Sequence, residues 1–122
     1  MVHLKNLSRS AKLKVFGPEL RILEKNRIHI QKRHAWMDLP INRSLFFPHI
    51  DTDKLVEKAR RLPRTLQSNG NFVRVGVDKE YVGLDVVTKK PTRIYTVVTD
   101  PSDIDVVTEH PGLPDPKYSL NQ

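Results

Sequence analysis

Residues 72–108 read FVRVGVDKEYVGLDVVTKKPTRIYTVVTDPSDIDVVT, and this stretch decides the fold class. It is rich in valine, isoleucine, threonine and tyrosine, which fit a half-buried pleated surface. Short polar connections interrupt it at 78–79, at 88–91 and at the Asp-Pro-Ser-Asp turn of 100–103. The spacing predicts a meander of about four antiparallel strands, namely FVRVGV, YVGLDVV, TRIYTVVT and IDVVT.

The residues before these strands predict helices. A first helix is expected to begin at Pro18 and to run to about Ile28, because apolar residues recur there at helical spacing. A second is expected between the capping residue Asp51 and the helix-breaking Pro63. Helices followed by hairpin-connected strands indicate an α+β domain, with the helices on one face of a roughly four-stranded antiparallel sheet. The other sheet face would then be free for a site.

The chain of 122 residues has the length of one domain, which we place at residues 17–111. Residues 1–16 are predicted to be a flexible arm or linker remnant, and residues 112–122 an extended tail. Residues 29–48, HIQKRHAWMDLPINRSLFFP, lack sustained periodicity and are predicted to form a long ordered loop of the kind that often has a function. No apolar run is long enough to span a bilayer. Without cysteine there is neither a disulfide nor a thiolate zinc site.

The charge of the chain is concentrated in its first half. The 21 lysines and arginines exceed the 14 acidic residues by seven. Residues 1–64 hold 15 of the basic and 6 of the acidic residues, a net charge of +9, whereas residues 65–122 have a net charge of −2. A polyanion such as nucleic acid would bind the basic half, although a solvated basic face without a partner explains the same composition.

His29 and His34 lie inside the predicted loop, beside Lys32, Arg33 and Arg43. Two imidazoles and a cation can cleave RNA without a metal ion. One imidazole deprotonates the ribose 2′-hydroxyl, the other protonates the leaving 5′-oxygen, and the cation stabilises the phosphoryl oxygens. Neither helix nor strand geometry brings two residues five positions apart together, so this chemistry requires a turn between them.

Other interpretations of the same residues remain open. Each histidine can simply bond a backbone group in a crowded loop. The aromatic residues Trp36, Phe46 and Phe47 can stack on bases or belong to the core. A metal site is not expected, because the histidine spacing misses that of helical zinc pairs and few carboxylates are near. No cofactor is predicted, since the glycines form no phosphate-binding pattern.

The order of the motifs resembles a known group of proteins. In sequence these motifs are R-I-H-I, K-R-H, N-R-S-L-F, the helix D-x-x-x-L-V-E-K-A, a glycine turn, and the strands V-R-V-G-V, Y-V-G-L-D-V-V-T and P-T-R-I-Y-T-V-V-T. They are similar to the C-terminal ribonuclease domains of bacterial polymorphic toxins, including contact-dependent growth inhibition effectors, of the barnase, EndoU, colicin and RelE-like (BECR) fold group. The likeness covers about residues 24–111. Where the family often ends in H-I-V-P, this chain reads V-V-T-E-H-P at 106–111.

The resemblance implies a set of site residues. Its catalytic positions correspond to His29, His34, Ser44 and Thr92, with the histidines as acid and base. It also implies that nearby cations, of which Lys32, Arg33 and Arg43 are the candidates, contact the phosphate.

The resemblance also implies a biological setting. Such toxins are delivered to neighbouring cells as part of a larger secreted or cell-surface protein, act in the target cytoplasm, often on transfer RNA, and are neutralised by a cognate immunity protein, here expected to be acidic. The sequence therefore predicts a metal-independent RNA endonuclease that leaves a 2′,3′-cyclic phosphate. The alternative is a non-catalytic basic RNA-binding or protein-interaction module.

Overall fold

The computed structural model describes residues 16–36 and 43–118 of the chain. Its helices and strands alternate along the first half of the sequence, and strands dominate the second half. In chain order they are β1 (Arg21–Ile22), α1 (Glu24–His34), β2 (Leu45–Phe46), α2 (Thr52–Ala59), β3 (Thr65–Leu66), β4 (Phe72–Val77), β5 (Gly83–Leu84), β6 (Pro91–Thr92), β7 (Ile94–Thr99), β8 (Asp105–Pro111) and a 3₁₀ helix (Pro116–Tyr118).

The strands form a mixed five-stranded sheet and a small antiparallel one. The larger sheet has the order β1-β8-β7-β4-β3, in which β8, β7, β4 and β3 pair antiparallel and β1 adds to β8 in parallel. The smaller sheet has the order β2-β5-β6. The predicted α+β class is confirmed. The prediction of an antiparallel meander did not include the parallel edge strand β1 or the second sheet.

Two predicted strands are interrupted in the structure. Only Gly83–Leu84 of YVGLDVV is a strand, and TRIYTVVT is divided at Arg93 between β6 and β7, which belong to different sheets. At Gly83 an added Cβ would lie 2.2 Å from the Leu45 carbonyl oxygen and 2.7 Å from Pro111 Cγ. Only glycine allows this approach of β2 and the end of β8.

Helix α2 forms where the sequence predicts it. The Asp51 side chain accepts hydrogen bonds from the backbone N–H groups of Asp53 (3.1 Å) and Lys54 (3.2 Å), which would otherwise lack partners at a helix start. Its apolar side, Leu55, Val56 and Ala59, is buried in the core.

Helix α1 corrects two of the predictions. The chain is extended at β1, where a helix was expected, and helical from Glu24 to His34, where a loop was expected to begin at His29. Ile22 packs against the core from β1, and Arg21 pairs with Asp105 of β8. The apolar residues before Glu24, which the sequence analysis assigned to a helix, therefore precede the helix and do not form it.

Helix α1 runs alongside β8 and in the same direction. Near its start the Asn26 side-chain amide donates to the Val106 carbonyl (2.9 Å), and at its end His34 contacts His110. Eight residues of helix and four of strand both advance about 12–13 Å, so the two contacts are in step. This alignment places the last residue of α1 at the end of β8.

Both faces of the central strand β7 are covered. Tyr95 and Val97 pack with the helices, and on the opposite face Thr96 is fully buried and Val98 is 8% exposed. The Thr96 hydroxyl donates to the Gly112 carbonyl (2.7 Å) just after β8. The prediction of a free sheet face for a site is therefore wrong along this strand.

The structure describes only part of the predicted arm, the predicted loop and the predicted tail. Residues 1–15 of the predicted arm, residues 37–42 of the predicted loop, and residues 119–122 lie outside the described residues. The described part of the predicted tail includes the 3₁₀ helix, and the Tyr118 carbonyl accepts a hydrogen bond from the Ser68 backbone N–H (2.9 Å). This part of the tail is thus bonded to the turn before β4.

Glu109 of β8 is a fully buried carboxyl group in the core. Burial is the largest cause that raises its pKa to about 8; the negative charge of Asp53 adds to the shift, and the Thr52 hydroxyl and the Arg27 charge oppose it. Among the described residues neither carboxyl oxygen has a partner at ordinary hydrogen-bond geometry. Glu109 therefore holds a proton at neutral pH that it would lose in the unfolded chain.

We expect Glu109 to make the domain less stable as pH rises. Between the unfolded-state pKa near 4.3 and the folded-state pKa near 8, the unfolded chain has released a proton that the folded state retains. The free energy of unfolding should therefore fall by about 1.4 kcal/mol per pH unit in this range. In Glu109→Gln, which does not titrate, this contribution should vanish. Urea unfolding of both proteins at pH 5, 6.5 and 8 measures it, and parallel pH dependences would contradict the expectation.

Candidate functional site

His34 at the end of α1 and His110 near the end of β8 form a pair. Their ring centroids are 5.5 Å apart and their planes are inclined by 40°. The two residues are 76 positions apart in the chain, and the alignment of α1 with β8 brings them together. At this separation both rings can reach the oxygens around a single phosphorus atom.

A hydrogen bond fixes the orientation of His34. Its Nδ1 lies 2.7 Å from the Ser44 carbonyl oxygen. A carbonyl only accepts hydrogen bonds, so Nδ1 must be the nitrogen that carries hydrogen. Nε2 is then the nitrogen that gains or loses the second proton, as a general acid or base requires.

His110 is oriented in the same way. Its Nδ1 lies 2.9 Å from the Pro111 carbonyl oxygen, which again assigns the hydrogen to Nδ1. Burial lowers the pKa of His110, and the bond to Pro111 and the charges of Asp85 and Asp115 oppose this only in part. His110 is therefore the neutral imidazole at neutral pH, which suits a general base.

Asp85 comes close to the chain just beyond His110. Gly112 adopts a φ of 90°, which turns the chain after β8, and a Cβ added there would lie 3.0 Å from an Asp85 carboxylate oxygen. Asp85 also accepts a hydrogen bond from the Val87 N–H (2.8 Å), which holds its carboxylate in place. The site therefore has one acidic group at its border.

Ser44 connects the histidine pair to this turn. Its carbonyl accepts from His34, and its hydroxyl oxygen accepts from the Val86 backbone N–H (3.0 Å). The side chain is buried, with the residue only 7% exposed. The predicted site residue Ser44 is thus brought to the pair, where it positions His34 through its backbone.

Of the predicted phosphate contacts, two are described beside His34. The Arg43 guanidinium donates to the Lys32 carbonyl in the last turn of α1 (3.2 Å), and the Lys32 side chain is exposed on the same turn. The Arg33 side chain lies outside the described part of the structure. Arg43 therefore adds positive charge to the last turn of α1. The Lys32 side chain lies about 160° from His34 around the helix axis and does not face the pair.

The structure does not bring His29 to the pair. His29 and His34 lie on the same uninterrupted helix, about 140° apart around its axis, and His29 is exposed. The turn between them that their cooperation requires is not present, so the predicted His29–His34 pair is wrong. Thr92 lies in the smaller sheet, where its hydroxyl accepts from the Ile94 N–H (3.1 Å), and this is a bond within its own turn.

The three aromatic residues of the predicted loop divide between the core and the surface. Phe46 is 3% exposed and belongs to the core. Trp36, two residues after His34, is 38% exposed and contacts Phe47 (centroids 5.8 Å apart), which stacks in turn on His49. An aromatic surface thus adjoins the histidine pair.

His110 is the residue that the sequence analysis did not select. Its only local signal is its position before Pro111, at the place where the similar toxins often have H-I-V-P. Nothing in the spacing of residues 29–48 points to a partner so distant in the chain. The pairing of β1 with β8 determines it.

Two further properties of the described residues bear on partners. Neither helix in residues 16–36 and 43–118 is long and apolar enough to cross a membrane. In the same part of the chain, no three or more histidine, aspartate and glutamate side chains are grouped so that they can hold a metal ion.

Comparisons of the chain with protein-family models, curated proteins and solved structures find no match.

Proposed function

We propose that this domain is an RNA endonuclease that uses His110 as general base and His34 as general acid. The observation that carries the proposal is the pairing of two imidazoles, 5.5 Å apart, that each donate a hydrogen bond from Nδ1 to a backbone carbonyl. This arrangement makes Nε2 of each ring the nitrogen that gains or loses the second proton. Ser44 is a positioning residue that holds His34.

The reaction is an intramolecular transfer at phosphorus. His110 Nε2 takes the proton of the ribose 2′-hydroxyl, whose oxygen attacks the adjacent phosphorus. The bond from phosphorus to the 5′-oxygen breaks as His34 donates its Nε2 proton to that oxygen. The products are a 2′,3′-cyclic phosphate and a 5′-hydroxyl, and DNA, which lacks the 2′-hydroxyl, does not react.

The surrounding charge supports an RNA substrate. Arg43 lies against the last turn of α1, which ends at His34, in the half of the chain that has a net charge of +9. Cations placed there stabilise the charge that develops on the phosphoryl oxygens. Trp36 offers a partly exposed ring on which a neighbouring base can stack.

The biological setting that we propose follows the resemblance alone. The domain acts as the toxic part of a larger secreted or cell-surface protein, cuts RNA, in particular transfer RNA, in the cytoplasm of a target cell, and is neutralised by an acidic immunity protein. The net charge of +9 in residues 1–64 suits an acidic partner.

The chemical nature of the ends of the RNA products tests the proposed cleavage reaction. We expect total RNA or transfer RNA incubated with the protein and EDTA to give discrete fragments that end in a 2′,3′-cyclic phosphate. The same protein should leave single-stranded DNA of matched sequence intact. Intact RNA with a salt-sensitive gel shift would instead favour the second candidate, a basic RNA-binding module.

A further inference from the structure

A second basic site lies at the other end of the domain from the histidine pair. It is a groove of about 570 Å³ between the chain before β1 and the end of α2. The residues that matter for its chemistry are Phe16, Arg60, Arg61, Arg64, Arg74 and Asp103. Four guanidinium groups therefore share one groove with a single carboxylate.

Hydrogen bonds within the protein already occupy that carboxylate. Asp103 accepts two bonds from Arg74 (2.6 and 2.9 Å), one from Arg64 (2.8 Å) and one from the Thr99 hydroxyl (2.7 Å). Arg60 pairs with Glu57 (3.6 Å) and donates to the Gly17 carbonyl. Even so, among the described residues the buried Nε atoms of Arg60 and Arg74 have no hydrogen-bond partner. Two cationic donors at the groove are therefore unsatisfied within the part of the chain that the structure describes.

Two of the arginines are held in place and accessible to solvent. The guanidinium of Arg61 lies over the Phe16 ring (5.3 Å to the centroid) and that of Arg64 over Phe72 (4.5 Å). Arg61 is exposed, and the Arg64 side chain is 55% exposed. A ring beneath the guanidinium limits its movement, and the planar group can bind a phosphate through two N–H donors.

We propose that this groove binds phosphate groups of the RNA strand away from the bond that is cut, with Arg61 and Arg64 as the contacting residues. Arg60 and Arg74 supply buried positive charge behind them. An anion relieves the repulsion among four guanidinium groups, because Asp103 and Glu57 supply only two negative charges beside them. The proposal rests on the proposed function for the identity of the polyanion, because RNA is the ligand that the histidine pair requires.

The groove lies too far from the histidine pair to be part of the same subsite. Asp103 precedes β8, whereas His110 is its sixth residue, and five strand residues advance about 17 Å. Two nucleotides rise only about 3.4 Å each in a helical strand, so a dinucleotide at the pair does not reach the groove. Long RNA and dinucleotides should therefore respond differently to changes in the groove.

The test compares the binding of a long RNA with that of a dinucleotide. Arg61→Gln/Arg64→Gln removes two phosphate contacts, which should lower the slope of log affinity against log salt by about 1.4 for a single strand. At 0.1 M salt this corresponds to an affinity loss of roughly 20-fold. The loss for the dinucleotide should be far smaller. Lys79→Gln/Lys90→Gln, which removes two exposed cations of the strand half, should leave the affinity for long RNA within about twofold.

A second measurement does not depend on the double variant. In the His34→Ala/His110→Ala protein, titration with uncleaved RNA should shift the NMR signals of the Arg61 and Arg64 side-chain N–H groups. Unchanged long-RNA affinity in the Arg61/Arg64 variant, or unshifted signals on RNA binding, would overturn the groove proposal. Both outcomes are independent of cleavage. A groove that binds only an acidic protein, and not RNA, overturns it as well.

Discussion

His34→Ala or His110→Asn is expected to reduce RNA cleavage by about 10² to 10⁴-fold while RNA affinity changes by less than about threefold. Each replacement removes one of the two proton-transfer groups and leaves the surrounding cations in place. Asparagine at position 110 retains a donor for the Pro111 carbonyl, so the end of β8 keeps its hydrogen bond. Initial rates on a fluorogenic RNA and binding of an uncleavable analogue measure the two effects.

His29→Ala is the matched control for this experiment. It removes an exposed imidazole from the same helix, and the structure places it away from His110, so cleavage should stay within about twofold of the wild-type rate. Circular dichroism and thermal unfolding check that all three variants fold. Full activity of the His34 and His110 variants, or loss of activity in His29→Ala alone, would refute the assignment of the pair.

The pH dependence of cleavage separates the two roles. Because burial lowers the pKa of His110, its neutral form persists below the usual histidine range, and the rate should rise as pH increases through that lowered pKa. In His110→Asn this rise should disappear, whereas in His34→Ala it should remain, because His110 is still the base. Identical profiles for both variants would count against the assigned roles.

Caps, helix breakers and hydrophobic periodicity predicted the elements whose sequence signals lie within the element itself. Asp51, the apolar side of α2 and Pro63 define one helix, and the β4 strand FVRVGV alternates as a strand should. Helix α1 lacks these signals. It buries Ile30, has no side-chain cap at Leu23 and consists mainly of charged and polar residues. Its position comes from contacts with β8, which no local pattern specifies.

The sequence predicted a pair of imidazoles, and of the two histidines that it selected the structure pairs only His34 with another imidazole. Two further predicted site residues, Ser44 and Arg43, contact the end of α1. The second imidazole lies 76 residues away, because β1 pairs in parallel with β8 and carries α1 with it. A pairing between strands so far apart in the chain produces no periodic pattern in the sequence, so it could not be predicted from the residues alone.

Asp103→Asn is expected to lower the free energy of unfolding by about 3 kcal/mol at pH 7, with a fall in Tm of about 12 °C. The Arg74 side chain is 9% exposed and donates two hydrogen bonds to the Asp103 carboxylate. Without that carboxylate a buried guanidinium loses its counter-charge. Burial alone would raise the pKa of Asp103, but the bonds from Arg74, Thr99 and Arg64 outweigh it and hold the pKa well below its ordinary value.

The direction of that shift fixes the pH range in which Asp103 stabilises the fold. Its contribution is fully present above the unfolded-state pKa of about 3.9 and is lost as pH falls through the lower folded-state pKa, so the difference from Asp103→Asn should shrink in acid. Arg64→Gln, which removes a half-exposed partner, should cost less than about 1 kcal/mol. Asp103→Asn/Arg74→Met should recover most of the lost stability, because no unpaired buried charge remains. A double variant no more stable than Asp103→Asn would show that the carboxylate acts through Thr99 and the turn instead.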